Sequence, residues 1–399
     1  MRILLFIIIF SIVLMIYGGA NYYVAFRLWQ AFFQILLPAY TMLYVGAFAI
    51  IALTPLGARL ARRYQSGKVI NFVTIVGDYW LAAIYYFVIL WLLSDAVRWI
   101  NSVLELLPEG IAGESMAAGI TVTVLVVVIL IYGIWNARNP RVMSYAIKIK
   151  KTAGNLSRLR AVLVSDIHLG VVVDNSRLCG LVNMINKLEP DIIFLAGDTI
   201  DEDVNYFAEH NMPQELGKLR SRFGTYAVLG NHEYIGGEAE MAVEYLRQAG
   251  VHVLRDSYVK VADGLYVVGR DDMMRGRFTG RARAPIAEVM QGIDRKMPII
   301  LLDHQPNRLD EAMAQGVDLQ LSGHTHRGQF FPNNLVTGRI FDSDWGVLRR
   351  GAFHLIVSLG FGTWGPPIRL GNIPEIVDIT VTFDSYTEKG KIISGNVVE

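Results

Sequence analysis

Two histidines, His324 and His326, lie one residue apart in the stretch LSGHTH, which closes a short apolar run. The chain has 399 residues and eight histidines, and none of the eight precedes residue 160. A spacing of two residues, in a chain that leaves a strand for a loop, can direct two imidazoles at neighbouring points. Imidazole is a common protein ligand of divalent metal ions. The pair therefore indicates metal chemistry.

Polar residues of the same kind follow four other apolar runs. The runs RAVLVSD, DIIFLAGD, TYAVLGNHE, PIILLDH and DLQLSGHTH predict buried strands, and helical patterns at 176–188 and 238–249 lie between them. Strands that alternate with helices predict an α/β domain, in which sites form at the carboxyl ends of strands. The candidate ligands at the five strand ends are Asp166 and His168, Asp198, Asn231 and His232, His304, and His324 and His326.

These side chains are too many for one ion. Carboxylates, an amide and imidazoles suit Mn²⁺, Fe²⁺ or Zn²⁺ better than Ca²⁺, which prefers cages made of oxygen alone. Two ions that share a carboxylate and a water form a hydrolytic centre for phosphate esters. We therefore expect two divalent ions, with Mn²⁺ as the expected metal and Fe²⁺ or Zn²⁺ as alternatives.

Five motifs in order carry a family resemblance. They are D-x-H (Asp166, His168), G-D-x-x-D (Gly197, Asp198, Asp201), G-N-H-E (230–233), His304 and G-H-x-H (323–326). Over about residues 158–384 the chain resembles the calcineurin-like metallophosphoesterase superfamily. Its stretch 358–376 is similar to a bacterial, membrane-associated branch that includes phosphodiesterases and lipid-precursor pyrophosphohydrolases. The resemblance implies an α/β/β/α sandwich of two mixed sheets.

The resemblance also implies a role for each residue. A hydroxide that bridges the two ions would attack phosphorus, His232 would protonate the leaving oxygen as general acid, and Asp201 would orient His232. Asp198 would bridge the ions. The first ion would be held by Asp166, His168, Asp198 and His326, and the second by Asp198, Asn231, His304 and His324.

One departure from the family concerns the substrate. Protein phosphatases of the superfamily read G-D-x-x-D-R-G, whereas here Glu202 and Asp203 follow Asp201. Acidic side chains repel a dianionic phosphoprotein, so a protein-phosphatase role is disfavoured. Arg327 and Arg369 are candidate phosphate ligands, each with a structural ion pair as its alternative. The glycine-flanked aromatics Phe330, Phe331, Phe361 and Trp364 are candidates for lipid contact, with core packing as their alternative.

Four apolar segments precede the catalytic region, at about 3–20, 31–54, 70–93 and 117–135. A helix of about 20 apolar residues crosses a bilayer, and these segments are long enough. Asp78 is the one carboxylate within them; it has a functional role, a polar tie to another helix or a position near a water-filled vestibule as its alternatives. The first segment could instead be a signal peptide with Arg2 as its charged start, but three further spans favour a membrane helix.

The charges of the connecting loops predict the topology. Segments 55–69 and 136–160 are basic and contain no acid, whereas 94–116 contains four acids and one arginine. The positive-inside rule then places both termini and the catalytic domain on the cytoplasmic face, here of a bacterial inner membrane. The predicted domains are a four-helix transmembrane region at 1–136, a basic juxtamembrane linker at 137–157 and the metallophosphoesterase domain at 158–399.

Composition limits the remaining functions. The net charge of +1 does not favour nucleic-acid binding, and the single cysteine, Cys179, precludes a disulfide framework or a thiolate metal cluster within the chain. No obligate protein partner is expected. We predict a membrane-anchored phosphohydrolase that cleaves a phosphoester or pyrophosphate of a lipid or glycolipid precursor. The alternatives are a phosphoesterase acting on soluble substrates, with the helices as an anchor, and a non-catalytic sensing or transport module.

Overall fold

The computed structural model describes residues 2–34, 37–62, 67–105, 116–262 and 264–384. It divides into two compact units. The helical unit comprises the residues up to Trp135 together with Gly365–Ile368. The sandwich unit runs from Asn136 to Trp364 and resumes at Arg369.

The helical unit contains four helices that are long and apolar enough to cross a membrane, as predicted. The first continues into a π-helix at Trp29–Phe33, and a 3₁₀ turn at Pro38–Tyr40 precedes the second. The bounds are α1 Arg2–Leu28, α2 Thr41–Arg62, α3 Lys68–Leu104 and α4 Met116–Ala137.

The bounds of the first two spans differ from the prediction. The first membrane-length segment extends to Phe33, and the second begins at Pro38. Arg27 does not end the first helix, because its guanidinium lies 2.6 Å from the carboxylate of Asp95 and is buried. An ion pair with a residue far along the chain allows a charge to remain within an apolar helix. Asp78 is buried in α3.

The sandwich unit contains two six-stranded mixed sheets. The first has the order β1-β12-β2-β3-β4-β5 and the second the order β10-β11-β9-β8-β7-β6. The strands are β1 Arg141–Ile149, β2 Arg158–Val164, β3 Ile192–Ala196, β4 Thr225–Val228, β5 Val251–Val253, β6 Ser257–Val261, β7 Leu265–Gly269, β8 Ile299–Leu302, β9 Leu319–Ser322, β10 Gly346–Arg350, β11 Phe353–Val357 and β12 Glu375–Phe383.

Helices cover the outer face of each sheet. Both helical segments predicted from sequence are present, as α5 and α9. The helices are α5 Asn175–Lys187, α6 Val204–Glu209, α7 Met212–Leu216, α8 Asn231–Ile235, α9 Ala239–Gln248, α10 Arg275–Thr279, α11 Ile286–Val289, α12 Leu309–Ala314 and α13 Asn334–Ile340, with a 3₁₀ turn at His326–Gly328.

Strand periodicity explains the layers. Alternate residues of β2 point to opposite faces, so Leu163 joins the core between the two sheets while Val162 and Val164 pack against the helices. A third apolar cluster lies between the second sheet and its helices. Helix, sheet, sheet and helix therefore form the predicted α/β/β/α sandwich, and this prediction is confirmed.

The segment predicted as a basic linker is folded. Residues Arg141–Ile149 form the edge strand β1, which pairs in parallel with β12. Ile147 and Ile149 point into the core between the sheets, while charged residues alternate with them on the exposed side. An exposed edge strand tolerates this charge, which explains why its basic residues suggested a linker. Residues 385–399 of the predicted domain lie outside the described residues.

Candidate metal centre

The loops after β2, β3, β4, β8 and β9 meet at one edge of the sandwich, as the sequence predicted. Backbone hydrogen bonds join the loops directly. The N–H of Asp166 donates to the carbonyl of Gly197 at 3.0 Å, and the N–H of His168 donates to that of Asp198 at 3.0 Å. Candidate ligands from different strands therefore lie side by side.

The first ligand group consists of Asp166, His168 and His326. Nε2 of His326 lies 3.2 Å from Oδ1 of Asp166 and 3.1 Å from Nε2 of His168. One ligand atom from each of the three residues lies within 4.8 Å of the others, and all three residues are buried. Buried acceptors that converge in this way suit a cation.

The second group consists of Asp198, His304 and His324, whose ligand atoms also lie within 4.8 Å of one another. Nδ1 of His304 lies 2.8 Å from the carbonyl of Ala196, which can only accept, so Nδ1 carries the proton and Nε2 a lone pair. That lone pair faces Oδ2 of Asp198 at 3.2 Å. Either a proton or a metal ion between Nε2 and Oδ2 satisfies both atoms, so the donor set fits a metal ion.

The charge of the second group supports the same conclusion. Burial lowers the pKa of His304, but the carboxylate of Asp198 more than compensates, and the net effect raises that pKa. The same negative field attracts a divalent ion. Oδ1 of Asn231 is buried and has no hydrogen-bond donor among the residues that the structure describes. An amide oxygen of this kind is available as a ligand.

Asp198 lies next to both groups. Its Oδ2 is 4.0 Å from Nε2 of His168 in the first group and 3.2 Å from Nε2 of His304 in the second. Burial raises the pKa of Asp198, but the neighbouring histidines, His304 above all, hold it well below its usual range. The residue is therefore a carboxylate positioned between the two groups.

His232 pairs with Asp201. Nδ1 of His232 lies 3.0 Å from Oδ1 of Asp201, and the His232 ring meets the His168 ring edge to face with centroids 4.5 Å apart. Burial lowers the pKa of His232, but Asp201 and Asp198 raise it to about 9. A nitrogen of His232 also lies within 4.8 Å of ligand atoms of His168 and Asp198, so geometry alone permits it as a ligand.

Five candidate ligands have left-handed backbone conformations. The φ angles are 51° at Asp166, 52° at His168, 50° at Asp198, 71° at His324 and 44° at His326. Residues other than glycine seldom adopt this region, and such residues cluster at functional sites. The sharp turns direct consecutive loop residues toward the same centre.

Glycines of the motifs allow the loops to approach. A Cβ at Gly230 would overlap Oδ1 of Asp198, and a Cβ at Gly323 would overlap Oδ2 of Asp166. The glycine of G-N-H-E and the glycine of G-H-x-H are therefore required because a ligand from another strand packs directly against each.

Glu233 holds the G-N-H-E loop in place. Its buried carboxylate accepts from the N–H of Gly230 at 2.8 Å and from the N–H of Ile200 at 3.0 Å. The loop that carries Asn231 is thereby fixed to the loop that carries Asp198. Sequence reasoning quoted Glu233 in its motif without assigning it this role.

We expect Glu233→Gln to lower the free energy of unfolding by about 1–3 kcal/mol, because the amide would present its own N–H to a buried backbone donor. Chemical denaturation followed by tryptophan fluorescence measures this change. Glu244→Gln is the matched control, since Glu244 lies on the exposed side of α9 and accepts only from Gln248 among the described residues. Equal destabilisation by both substitutions would contradict the assignment.

Arg369 was a candidate phosphate ligand, but the structure gives it a structural role instead. Its guanidinium is fully buried, and all its N–H groups have protein acceptors. Nη2 also lies 3.1 Å from Nδ1 of His326. Arg369 therefore stabilises the loop that carries the candidate ligand His326. The acceptors are the carbonyls of Leu359, Gly360 and Gly362 and the side chain of Asn372.

We expect Arg369→Lys to weaken metal binding at the first group by about 10–100-fold, the usual loss when a residue behind a ligand is changed. Lysine has three donors in place of five and cannot hold the same loop. Titration with Mn²⁺, followed by electron paramagnetic resonance, measures the affinity, and unfolding in EDTA reports any loss of fold. The control is Arg349→Lys, which alters a surface arginine that donates to Gly351. Unchanged Mn²⁺ affinity in Arg369→Lys would contradict this role.

The remaining candidates divide into exposed and buried residues. Phe330 and Phe361 are 9% and 3% exposed. The structure therefore places both in the core, the alternative to lipid contact. Phe331 and Trp364 remain exposed. Arg327 is half-buried, and its guanidinium lies 5.0 Å from the ring centroid of Trp345. It has no carboxylate partner among the residues that the structure describes.

One polar cluster was missed by the sequence interpretation. Asp271 and Asp272 follow β7 and are buried, and the side chain of Gln305, next to His304, donates to Asp272 at 3.0 Å. Tyr234 and Arg255 donate to Asp271. Polar residues directly after a strand identified the other ligand loops, and the same pattern is present here. It was not used because β7 was not among the five runs that predicted strands.

Comparisons with known proteins agree with this geometry. Residues 159–328 match the family model of calcineurin-like phosphoesterases. An uncharacterised metallophosphoesterase of Aquifex aeolicus is 37% identical over 60% of this chain and 91% of its own length. The uncharacterised metallophosphoesterase Cj0846 of Campylobacter jejuni is 27% identical over 94% of this chain and 98% of its own length.

A vertebrate relative is also similar. The zebrafish transmembrane protein with metallophosphoesterase domain is 33% identical over 68% of this chain, and the chain spans 64% of that protein's length. The strand-end motifs, the two ligand groups and the extensive match to the Aquifex protein lead to one assignment. The chain belongs to the calcineurin-like phosphoesterase family of metal-dependent phosphoester hydrolases.

Proposed function

We propose that the protein is a membrane-anchored phosphohydrolase that cleaves a phosphoester or pyrophosphate bond of a lipid or lipid-linked glycolipid precursor. The observation that carries the hydrolytic part is the position of Asp198 between two ligand groups, with the His232–Asp201 pair beside them. We assign Asp166, His168, Asp198 and His326 to one ion. We assign Asp198, Asn231, His304 and His324 to the other.

Two divalent ions at these positions would supply charge neutralisation for the phosphoryl oxygens and a water of lowered pKa. The residues of the chain supply the rest. Burial lowers the pKa of His232, but the hydrogen bond to the carboxylate of Asp201 raises it, and this pairing favours a ring that holds a proton. Asp201 fixes the ring through Nδ1, so the other ring nitrogen is free to deliver its proton to the leaving oxygen. The reaction breaks the bond between phosphorus and that oxygen.

Asn136 supports the assignment of a lipid substrate. This residue is the penultimate residue of α4, and its amide donates to the carbonyls of Arg369 at 3.1 Å and Asn372 at 2.7 Å. The side chain of Asn372 in turn donates to the carbonyl of the candidate ligand His326 at 3.0 Å. Asn136 thus links the candidate ligand loop to the point at which the chain leaves its last membrane-length helix, and this covalent attachment favours a substrate that resides in a membrane.

The proposed location is the cytoplasmic face of a bacterial inner membrane. Four membrane-length helices and relatives named as transmembrane proteins support a membrane protein. Arg138 and Arg141 are exposed directly after α4, and basic residues at the end of a span favour the cytoplasmic side. Protection of a C-terminal reporter from external labelling tests this orientation. Labelling in intact cells would contradict it.

The hydrolytic part is tested with model esters. The purified full chain should release p-nitrophenol from p-nitrophenyl phosphate or bis(p-nitrophenyl) phosphate after addition of Mn²⁺, Fe²⁺ or Zn²⁺, and EDTA should abolish the release. The two esters distinguish a monoesterase from a diesterase. No metal-dependent release from either ester would contradict the proposal.

The lipid part needs a separate experiment. Membrane lipid extracts are incubated with the wild-type chain or with Asp198→Ala, and the species depleted only by wild type is identified by mass spectrometry. We expect a phosphorylated lipid or a lipid-linked diphosphate. Hydrolysis of soluble esters without depletion of any lipid would instead favour soluble substrates, with the helices as an anchor.

A further inference from the structure

An exposed apolar surface follows the last ligand motif. Its members are Phe331, Leu335, Val336, Ile340 and Trp364, whose exposed fractions are 48%, 53%, 56%, 65% and 46%. We call this set the α13 surface. Soluble proteins seldom leave large apolar side chains together in water, and such patches mark interaction sites.

The apolar side chains of α13 share one face. At about 100° per residue, Leu335, Val336 and Ile340 lie within an arc of about 140°. Arg339 lies in the same arc and is exposed. On the opposite side of the helix, the hydroxyl of Thr337 donates to the carboxylate of Asp344 at 2.7 Å. One side of α13 is bonded to the protein, and its other side is apolar and carries a basic residue. These are features of an interfacial membrane helix.

The α13 surface is close to the metal ligands. Phe341, the residue after α13, meets the ring of His324 edge to face with centroids 6.2 Å apart. At the other end, the N–H of Phe331 donates to the carbonyl of Leu370 at 2.8 Å. The residue that follows α13 therefore lies beside a candidate ligand.

Asn136, the first residue of the sandwich unit, contacts the same loop. Residues 369–372, which hold Phe331 through Leu370, accept both hydrogen bonds of Asn136 near the end of α4. Only residues 138–140 separate α4 from β1, and three residues span at most about 11 Å. The sandwich unit is therefore tethered to the last membrane-length helix by a connection of three residues.

We propose that the α13 surface inserts into the interfacial layer of the bilayer that α4 crosses, and that anionic headgroups contact Arg339, Arg138 and Arg141. Segment 334–340 contains no acidic residue, and the nearby Asp342 lies 3.2 Å from a nitrogen of Arg350. The charge of the surface is therefore suited to anionic lipids. This contact goes beyond the proposed function, because it requires no hydrolysis.

Fluorescence quenching in bilayers tests the contact. The single native cysteine is exposed and is removed as Cys179→Ser. Val336→Cys and Ile340→Cys are then labelled separately with a nitrobenzoxadiazole dye, and the full chain is placed in nanodiscs of phosphatidylcholine and phosphatidylglycerol. Lys260→Cys is the control, because Lys260 is exposed on β6, the edge strand opposite β10 in the second sheet.

We expect dyes at positions 336 and 340 to lose emission with nitroxide-labelled lipids and to be shielded from iodide. The control dye should show the reverse. Iodide quenching at positions 336 and 340 equal to that of the control would overturn the proposal. Shielding from both quenchers would also overturn it, because protein, from this chain or a second copy, would then cover the surface. Failure of the hydrolysis assays leaves these readouts unaffected, so the two proposals fail separately.

Discussion

Asp198→Ala is expected to remove both metal ions and to reduce hydrolysis to the rate measured in EDTA. Asp198 is the residue that lies beside both ligand groups, 3.2 Å from His304 and 4.0 Å from His168. Without its carboxylate, the second group keeps two imidazoles and an amide but no negative charge. Neutral ligands alone bind a divalent ion far less tightly than a set with a carboxylate. Metal content by inductively coupled plasma mass spectrometry should fall from two ions per chain to none.

A structural carboxylate provides the control for this variant. Asp378→Ala removes a carboxylate of β12 that lies 2.9 Å from a nitrogen of Arg160, far from the ligand loops in sequence. This control should retain both ions. Circular dichroism of both variants reports whether the fold is intact. Full metal content in a folded Asp198→Ala protein would disprove the bridging position.

His232→Ala is expected to retain both ions and to lower turnover by about 10²–10⁴-fold, the usual contribution of a general acid. Burial lowers the pKa of His232, but the hydrogen bond to Asp201 raises it and favours a protonated ring. Loss of the proton donor matters most when the leaving group is a poor one. The deficit should therefore be large for an alkyl phosphoester and small for a p-nitrophenyl ester, as steady-state rates on both will show.

The control for His232 is another histidine of the same unit. His252→Ala removes an exposed ring on β5 that stacks on Tyr226, and it should alter neither metal content nor turnover. A loss of one ion in His232→Ala would identify His232 as a ligand, which the distances to His168 and Asp198 also permit. An equal deficit for good and poor leaving groups would contradict proton donation.

The α/β class and the ligand cluster could be predicted because both depend on local pattern, whereas the sandwich of two sheets was implied by the family resemblance. Short apolar runs identified five strands, and the polar residues after them marked the edge at which the strands end. The motif glycines were also informative. A glycine before each ligand, such as Gly230 and Gly323, is needed only where another loop packs closely.

The errors share one cause, which is pairing between residues far apart in the chain. The strand β1 was predicted as a linker because its partner β12 begins at Glu375. Arg369 was predicted as a phosphate ligand because carbonyl acceptors leave no mark in a sequence. The first span was predicted to end at about residue 20, before Arg27, because the partner of that arginine, Asp95, lies in another helix.

The left-handed backbone at five candidate ligands has a consequence for how relatives of this protein lose their activity. Each such residue destabilises the fold by about 1 kcal/mol relative to glycine, and the ligand side chain is the reason to keep it. Once a gene copy is released from selection for hydrolysis, glycine relieves this strain at a position whose side chain accepts no backbone N–H from the described residues, such as 324. Inactive descendants of this fold should therefore be recognisable by glycines that stand where the ligands once did.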